Sequence, residues 1–573
     1  MRVIATAGHV DHGKSTLVRR LTGMEPDRWA EERRRGLTID LGFAWTRLGE
    51  EDVAFVDVPG HERFVPTMLA GAGPAPAVAF VVAADEGWKP QSAEHLAALD
   101  AFGVDRGLLV VTKADRADPG PATASALHEI SATSLGAVPS VAVSGTTGAG
   151  FAELRAALGA LVAGLPAPDT GADVRLWLDR AFTIRGAGTV VTGTLAAGTI
   201  TTGDELDLGG ATVTIRGIEA LGEPRDRVTG VARVALNLRG VAREQTRRGH
   251  PLLTPGAWLT TSEVDVRLRG TRSADLHQSL VLHLGTAAVA ARVRPLGTDT
   301  ARLTLRTPLP LRVGDRGLVR DPGAHLIPAG VEVLDVRPPE LRRRGAARAR
   351  GDELTREPAP AHLARRGFVK AAEFRAMGFA PTGEHVGEWL VDLGRFAHLK
   401  ALAREEVAAW THDHPVAAGM PEETLRQRLE LPAPELLPPL LTGLETRAGL
   451  VRLPGTGLEP RVAEAVAELD KEFAEHPFRA PETDHLRELG LGRRELAAAV
   501  RHGRLTVLAE GVYVAPGTEE RAAEVLAGVA RPFTVADARR ALDTTRRVMV
   551  PLLEHLDAAG VTEPLGDGTR RLR

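Results

Sequence analysis

A chain of 573 residues with 43% hydrophobic and 4% aromatic content can bury several cores, and at roughly 150 residues per domain its length predicts about four domains. It has no cysteine, which excludes disulfides and thiolate metal sites, and its first residues read as a strand with no signal-peptide pattern, so a cytoplasmic chain without membrane association is expected. The net charge of −3 excludes a broadly basic nucleic-acid binder, so any such surface must come from clustered arginine; lysine supplies only six of the 71 basic residues, leaving 65 arginines.

The apolar run MRVIATA predicts a buried parallel strand, and it leads directly into GHVDHGKST. That stretch fits G-x-x-x-x-G-K-[ST], so Gly8, His9, Val10, Asp11, His12, Gly13, Lys14, Ser15 and Thr16 are the expected phosphate-loop contacts. Glycines let successive N–H groups turn inward as an anion nest, a lysine reaches the outer phosphates, and the serine hydroxyl can join Mg²⁺. A glycine turn that only caps a helix needs no Lys-Ser pair at that register.

Next in the chain, AFVDVPGHE places Asp57 at a strand end, followed by Gly60 and His61, and GLLVVTKAD places Thr112, Lys113 and Asp115 after another apolar run. A carboxylate there can accept from both N1–H and the exocyclic amine of guanine, which adenine does not offer, so Asp115 argues for GTP. VAVSGTTGAGF supplies a further loop, in which Ser144, Gly145 and Thr146 can meet the guanine O6. Lys14 and Lys113 are two of the few lysines, at positions where a compact ammonium is not replaceable by a planar guanidinium.

Together GHVDHGKST, RRRGLTID, DVPGHE and TKAD resemble the G domain of a translational GTPase, and RGAGTVVTGTL, TTGDELDL and RRGHPLLTPG resemble the barrels that follow it in factors delivering aminoacyl-tRNA. Thr112 stands where most such factors have Asn; threonine can still bond the phosphate loop, and TKAD is expected in one branch, the selenocysteine-specific elongation factors. The resemblance implies that Thr38 closes on Mg²⁺ when a γ-phosphate is present, with Ser15 as a ligand and Asp57 acting through water. It implies that His61 orients the attacking water behind an apolar gate of Val10 and Leu37. Bound species are then GTP or GDP with Mg²⁺, and the activity is ribosome-stimulated GTP hydrolysis.

From 171 to 338 come short runs rich in Val, Thr, Ile and Leu, broken by Gly and charged turns, with no helical period: two β-barrels are expected, at 171–255 and 256–338, after a G domain at 1–170. Asp179, Arg180 and Arg233 fall where the family's aminoacyl pocket lies. A selenol is far more acidic than a thiol, so fixed positive charge there would separate selenocysteine from serine and cysteine.

The Arg-rich segment at about 340–360 reads as an exposed connector. Beyond it, LLTGLETRAGLVRLPG, LAAAVRHGRLTVLAEGVYV and LLEHLDAAGVTEPLGDGTRRL each run from helix through a tight turn to a hairpin, and EWLVDLGRFAHL reads as a weaker copy. Winged helices are therefore expected at 339–400, 401–457, 458–527 and 528–573. The fold class is multidomain: an α/β P-loop G domain, two β-barrels and tandem α+β winged helices. In the last unit Thr544 and Thr545 can cap a helix, and Arg539, Arg540, Arg546, Arg547, Arg570 and Arg571 suit an RNA hairpin backbone.

The whole chain resembles bacterial selenocysteine-specific elongation factors. This implies a monomer that carries selenocysteinyl-tRNA to the ribosome beside an mRNA hairpin at an in-frame UGA. A general aminoacyl-tRNA carrier or initiation-type GTPase, a non-catalytic RNA-hairpin adaptor with a structural nucleotide, and a DNA-binding regulator with a nucleotide sensor are the alternatives.

Overall fold

The computed structural model describes residues 1–26, 38–186, 188–414, 417, 419–454, 458–565 and 568–573. The chain divides into two compact units, Met1–Gly383 with Glu388–Leu390, and Glu384–Gly387 with Val391–Arg573.

The first unit opens with a six-stranded sheet of β1 (Arg2–Ala7), β2 (Gly42–Leu48), β3 (Glu51–Asp57), β4 (Ala77–Ala83), β5 (Gly107–Thr112) and β6 (Ser140–Ala142), in the order β2-β3-β1-β4-β5-β6. Only β2 runs antiparallel to its neighbour β3; the rest are parallel, and their near-continuous apolar sequences reflect burial on both faces. Helices α1 (Lys14–Thr22), α2 (Val65–Ala72), α3 (Pro90–Phe102), α4 (Pro119–Ser131) and α5 (Phe151–Ala163) cover the sheet. Alternate residues of β1 divide between two cores. Val3, Ala5 and Ala7 pack with Met68, Leu99 and Ala126, and Ile4 packs with Leu17, Val18, Leu154 and Leu158. The loops carrying the phosphate-loop residues, Asp57, Lys113 and Ser144 each leave a strand at its C-terminal end, the usual crevice of an open α/β sheet.

Two barrels follow. In the first, strands Arg175–Ile184, Gly188–Leu195, Glu205–Leu208, Ala211–Ala220, Ala232–Arg239 and Pro251–Leu253 pair in a ring closed by the pairing of Glu205–Leu208 with Ala211–Ala220. The second is a closed barrel of six strands from Thr260 to Asp335 around Val264, Leu282, Leu303 and Val331.

The segment expected to be an exposed connector is instead docked. It forms helices Ala346–Glu353 and Pro358–Arg366, and Arg350 is buried, donating to Asp265 Oδ2 at 2.7 Å and to Asp335. Arg302 forks onto Asp265 at 2.7 and 3.1 Å, and Arg365 donates to Asp335 Oδ2 at 2.8 Å. Burial alone would raise the Asp335 carboxyl, but the bond from His362 and the charges of Arg365 and Arg350 outweigh it and hold it well below the usual range. Composition made the segment look solvated because it does not reveal that barrel aspartates await one of its arginines.

The strand Trp389–Val391, which begins in the first unit and ends in the second, comes just before a 21-residue helix of the second unit, Leu393–Asp413, capped by Asp392, which accepts from Arg395 N at 2.8 Å. The order in EWLVDLGRFAHL is therefore strand then helix, the reverse of the expected copy, and the helix runs across the boundary expected at 400/401. The other three repeats do end in hairpins: Glu445–Arg447 with Leu450–Arg452, Thr506–Ala509 with Val512–Val514, and Thr562–Pro564 with Thr569–Leu572. The last wing gains a third strand, Phe533–Thr534. Helix Thr518–Leu526 packs into the core of Phe533, Ala538, Met549 and Leu552, so the fourth unit begins before residue 528.

Removing Arg350 would leave two buried carboxylates short of a partner. Arg350→Ala is expected to cost about 3–5 kcal/mol in chemical denaturation of the full chain, and the exposed Arg348→Ala less than about 0.5 kcal/mol.

Candidate functional site

The phosphate loop begins where β1 meets β4. Gly8 has φ +130°, and a Cβ there would sit 2.1 Å from the Val81 carbonyl oxygen, so no other residue fits. Asp11 and Gly13 also take positive φ, at 63° and 83°, turning the loop so that α1 starts at Lys14. The Lys14 ammonium is buried and donates to Gly8 O at 3.0 Å and His9 O at 2.8 Å, which holds its charge inside the loop. The loop carrying Gly60 presses against the same turn: a Cβ on Gly60 would lie 2.4 Å from Lys14 Nζ and 2.6 Å from Val10 N.

Three hard oxygen donors stand near Lys14. Ser15 Oγ and Thr38 Oγ1 lie 2.9 Å apart, and the buried Asp57 is fixed by Thr6, whose hydroxyl donates to Asp57 Oδ1 at 2.6 Å and accepts from Val58 N at 3.2 Å. Hydroxyls plus one carboxylate fit Mg²⁺ sharing its shell with phosphate oxygens, and among the described residues no cluster of three His, Cys, Asp or Glu forms an all-protein cage. His61 is partly exposed, its ring centroid 6.0 Å from that of Phe64, and its Nδ1 accepts from Arg63 N at 3.2 Å. Val10 is also partly exposed, its amide donating to Gln91 Oε1 at 3.4 Å. Leu37 lies outside the described residues.

A cavity of about 320 Å³ adjoins the loop, lined by Asp11, Gly13, Thr16, Thr112, Asp115 and Thr146. Thr112 Oγ1 donates to His12 O at 2.6 Å, so threonine does make the bond to the phosphate loop. Lys113, at φ 54°, donates to Glu86 at 2.7 Å and lies 3.3 Å from Asp85; burial works against its charge, but these bonds prevail and raise its pKa. A hydrogen bond from the buried Ser144 lowers the pKa of the exposed Asp115, keeping it an acceptor. Arg20 pins the third loop through Gly145 O at 2.8 Å and Thr146 O at 3.1 Å.

Sequence reasoning missed the support behind the loop. His95, on α3, accepts from Gly8 N through Nδ1 at 3.1 Å, and His12 Nδ1 meets Val81 O at 3.3 Å, so Nδ1 carries the proton in His12 and Nε2 does in His95. Burial is the first cause that pushes His12 down to about 4 and His95 to about 3. A neutral imidazole in each is part of the folded loop. No sequence pattern marks His95, because its role follows only from α3 packing under β1.

A second, larger cavity of about 680 Å³ lies between the G domain and the first barrel, lined by Asp40, Asp179, Arg180, Phe182, Arg247 and Arg248 among others. Asp179 is buried; Thr192 donates to its Oδ1 at 2.7 Å, and Arg233 forks onto both its oxygens. Burial would raise the Asp179 carboxyl, but the Arg233 charge outweighs it and lowers the pKa. Arg233 also lies over the Phe43 ring at 3.8 Å, and Arg180 at 5.0 Å. The three expected pocket residues are thus brought together, with Asp40 and Arg248 as partners the sequence did not flag.

In the fourth winged helix, four of the expected arginines are engaged: Arg540 with Asp537, Arg547 with Glu482, Arg570 with Asp557 and Arg571 with Glu563. Arg539 and Arg546 are exposed and have no ion-pair partner among the described residues. Thr545 occupies the N-cap of helix Arg546–Ala558 with no side-chain cap bond among the described residues, while the Thr544 hydroxyl donates to Phe478 O, so the expected cap is not made by these side chains.

Three family models match the chain: the elongation factor Tu GTP-binding domain over residues 1–163, the β-barrel domain of selenocysteine-specific elongation factor over 261–340, and the winged helix of elongation factor SelB over 524–571. The selenocysteine-specific elongation factor of Escherichia coli (strain K12) is 31% identical over 612 aligned positions, covering 99% of this chain and 98% of that protein. The chain belongs to the selenocysteine-specific elongation factor family. The factor of Desulfomicrobium baculatum is 35% identical over 404 positions, 65% of this chain and 63% of its own. A crystal structure of a bacterial selenocysteine-specific elongation factor has the same fold over the full length of both chains, at 24% identity and a TM-score of 0.74. The SelB of Methanococcus maripaludis, solved in complex with the GTP analogue GppNHp, matches 58% of this chain and 78% of its own at 25% identity and a TM-score of 0.51. As a member of the family the chain is a guanine-nucleotide-binding GTPase. Among the described residues no helix is long and apolar enough to cross a membrane.

The buried histidines set a pH dependence. The unfolded chain takes up these protons at the ordinary value of 6.5, whereas the folded loop refuses them until far lower pH. Stability is therefore fully present above about 6.5 and falls as pH drops toward about 4, with His12 contributing on the order of 3 kcal/mol. Thermal unfolding at stepped pH is the check; a midpoint that stays level from pH 6.5 to 4.5 contradicts neutral burial.

Proposed function

We propose that this chain carries selenocysteinyl-tRNA to the ribosome as a GTP complex, at in-frame UGA codons marked by an mRNA hairpin that its last winged helix binds. The observation that carries this reading is the cavity beside Arg180 and Arg233, where arginines outnumber the carboxylates Asp40 and Asp179. A selenolate is charged at neutral pH, so it gains charge-assisted contacts there, whereas a neutral serine brings no charge to offset the excess of guanidinium. A general aminoacyl-tRNA carrier has no use for such a pocket or for the winged helices.

At the nucleotide, Asp115 accepts from the guanine edge, and Lys14 with the loop amides from Gly8 to Thr16 holds the phosphates. Ser15, Thr38 and, through water, Asp57 are the groups that would hold Mg²⁺, which when bound neutralises charge on the phosphate oxygens. His61 orients the attacking water once the ribosome moves it past Val10 and Leu37, so hydrolysis waits for decoding. The chain works in the cytoplasm as a monomer.

The reading is tested by deacylation. The GTP form is expected to protect selenocysteinyl-tRNA and leave seryl-tRNA unprotected; equal protection of both would return a general carrier, and protection of neither an RNA adaptor.

At the tail we assign first contact with the hairpin to Arg539 and Arg546, because Arg540, Arg547, Arg570 and Arg571 already hold carboxylates. Arg539→Ala and Arg546→Ala should each weaken hairpin binding and flatten the log–log salt slope by roughly 0.7–0.9, and Arg571→Ala should do so less. Filter binding across a salt series measures both.

A further inference from the structure

The two sites are joined by a short stretch of chain. Thr38 stands at Ser15, with 2.9 Å between their hydroxyls, and two residues later Asp40 stands at the aminoacyl cavity. Its carboxylate is shared by two arginines: Oδ2 accepts from Arg180 Nε at 3.0 Å, and Oδ1 accepts from Arg248 NH2 at 2.7 Å. Arg180 also donates to Leu41 O, and Arg248 to Asp179 O at 3.1 Å and to Thr67 Oγ1 at 3.1 Å. Arg180 and Arg248 come from distant parts of the first barrel, in β-strand Arg175–Ile184 and in the turn before Pro251–Leu253, and two guanidiniums brought this close repel unless an anion lies between them.

We propose that Asp40 is a positioning residue that couples the nucleotide to the aminoacyl pocket, and that Arg248 is a further cation of that pocket beside Arg180. With Thr38 drawn to Ser15, Asp40 gathers Arg180 and Arg248 at one wall of the cavity and offsets their mutual repulsion. Each guanidinium presents its charge in a planar fork, a shape that suits an anionic side chain reaching this wall. When Thr38 leaves Ser15, Asp40 leaves with it, the two arginines spread, and the pocket loses its concentrated charge. Selenolate affinity thereby follows the γ-phosphate without any contact between the two ligands, as a coupling free energy carried by one two-position segment.

This inference rests on the selenocysteinyl-tRNA reading above, and the experiment separates the two. Affinities of the full-length chain for selenocysteinyl- and seryl-tRNA are measured by protection from deacylation in the GTP-analogue and GDP forms, for the unmodified chain, Asp40→Asn, Asp40→Glu and Arg248→Lys. GTP and GDP affinities are measured separately with a fluorescent nucleotide. Asp40→Asn should weaken selenocysteinyl-tRNA binding in the GTP form by tenfold or more, leave the GDP form and both nucleotide affinities unchanged, and so narrow the ratio between the forms. Asp40→Glu should restore part of that ratio. Arg248→Lys keeps the charge but loses the fork, and should reduce preference for selenocysteinyl- over seryl-tRNA with nucleotide binding intact. Equal losses in both nucleotide forms, or none, overturn the coupling. If the unmodified chain fails to prefer selenocysteinyl-tRNA, the parent reading fails instead.

Discussion

The contact on which both sites depend is the passage of Gly8 under β4, where the Val81 carbonyl leaves no room for a Cβ. It fixes the end of β1 against the sheet, so the loop that follows turns over on a rigid base. His95 takes the Gly8 amide from below, His12 meets the same Val81 oxygen, and Thr112 holds His12 O from β5. Three parallel strands, β1, β4 and β5, and helix α3 are therefore stitched to one loop by buried polar bonds. Lys14 can then keep its charge indoors, donating to two backbone carbonyls that it can trade for phosphate oxygens. A looser loop would lose the ammonium to solvent, and with it the fixed charge that the site can offer phosphate oxygens.

A second constraint follows from the choice of base. Arginine makes up nearly all the positive charge, and the structure uses its planar fork as mortar between domains. Arg175 forks onto Asp315 at 2.6 Å through both terminal nitrogens, Arg312 bonds Asp173 at 2.6 Å and lies over Trp258 at 3.7 Å, and Arg350 ties the helix after the barrels to Asp265 and Asp335. Each joins segments more than 80 residues apart or closes a barrel end, except the Asp335 bond, which is local. Lysine offers a point charge without that geometry, and it persists at 14 and 113, where a compact ammonium on a flexible stem must reach carbonyls or carboxylates in a tight turn.

What was legible in the sequence was whatever is local. GHVDHGKST, DVPGHE, TKAD and the third loop each carry their chemistry in a few adjacent residues, so their positions at strand ends could be read directly, as could the Val- and Thr-rich strands of the barrels. Illegible features were pairings over long separations. Arg350 looked solvated because Asp265 is 85 residues away; Arg547 looked free because Glu482 lies in the preceding winged helix; Asp40 carried no signal because Arg180 and Arg248 are 140 and 208 residues downstream. The reversed order in EWLVDLGRFAHL has a different cause. Asp392 directly follows a strand and caps a helix, and only the cap bond decides which way the pattern runs.

In a chain so rich in arginine, a cluster of positive residues is poor evidence of a binding site, since many arginines are engaged by carboxylates within the fold. The discriminating feature is the balance of partners. In the last winged helix, pairing with Asp537, Glu482, Asp557 and Glu563 removes four of six candidates and leaves Arg539 and Arg546. At the cavity beside the first barrel, Asp179 and Asp40 each serve two positions of the wall, yet Arg243 and Arg247 also line it and make no ion pair among the described residues. An excess of guanidinium over carboxylate costs repulsion and desolvation in the absence of a ligand. On the reading proposed above, an anion supplied from outside would offset that charge in both places, a selenolate in one and a phosphate backbone in the other.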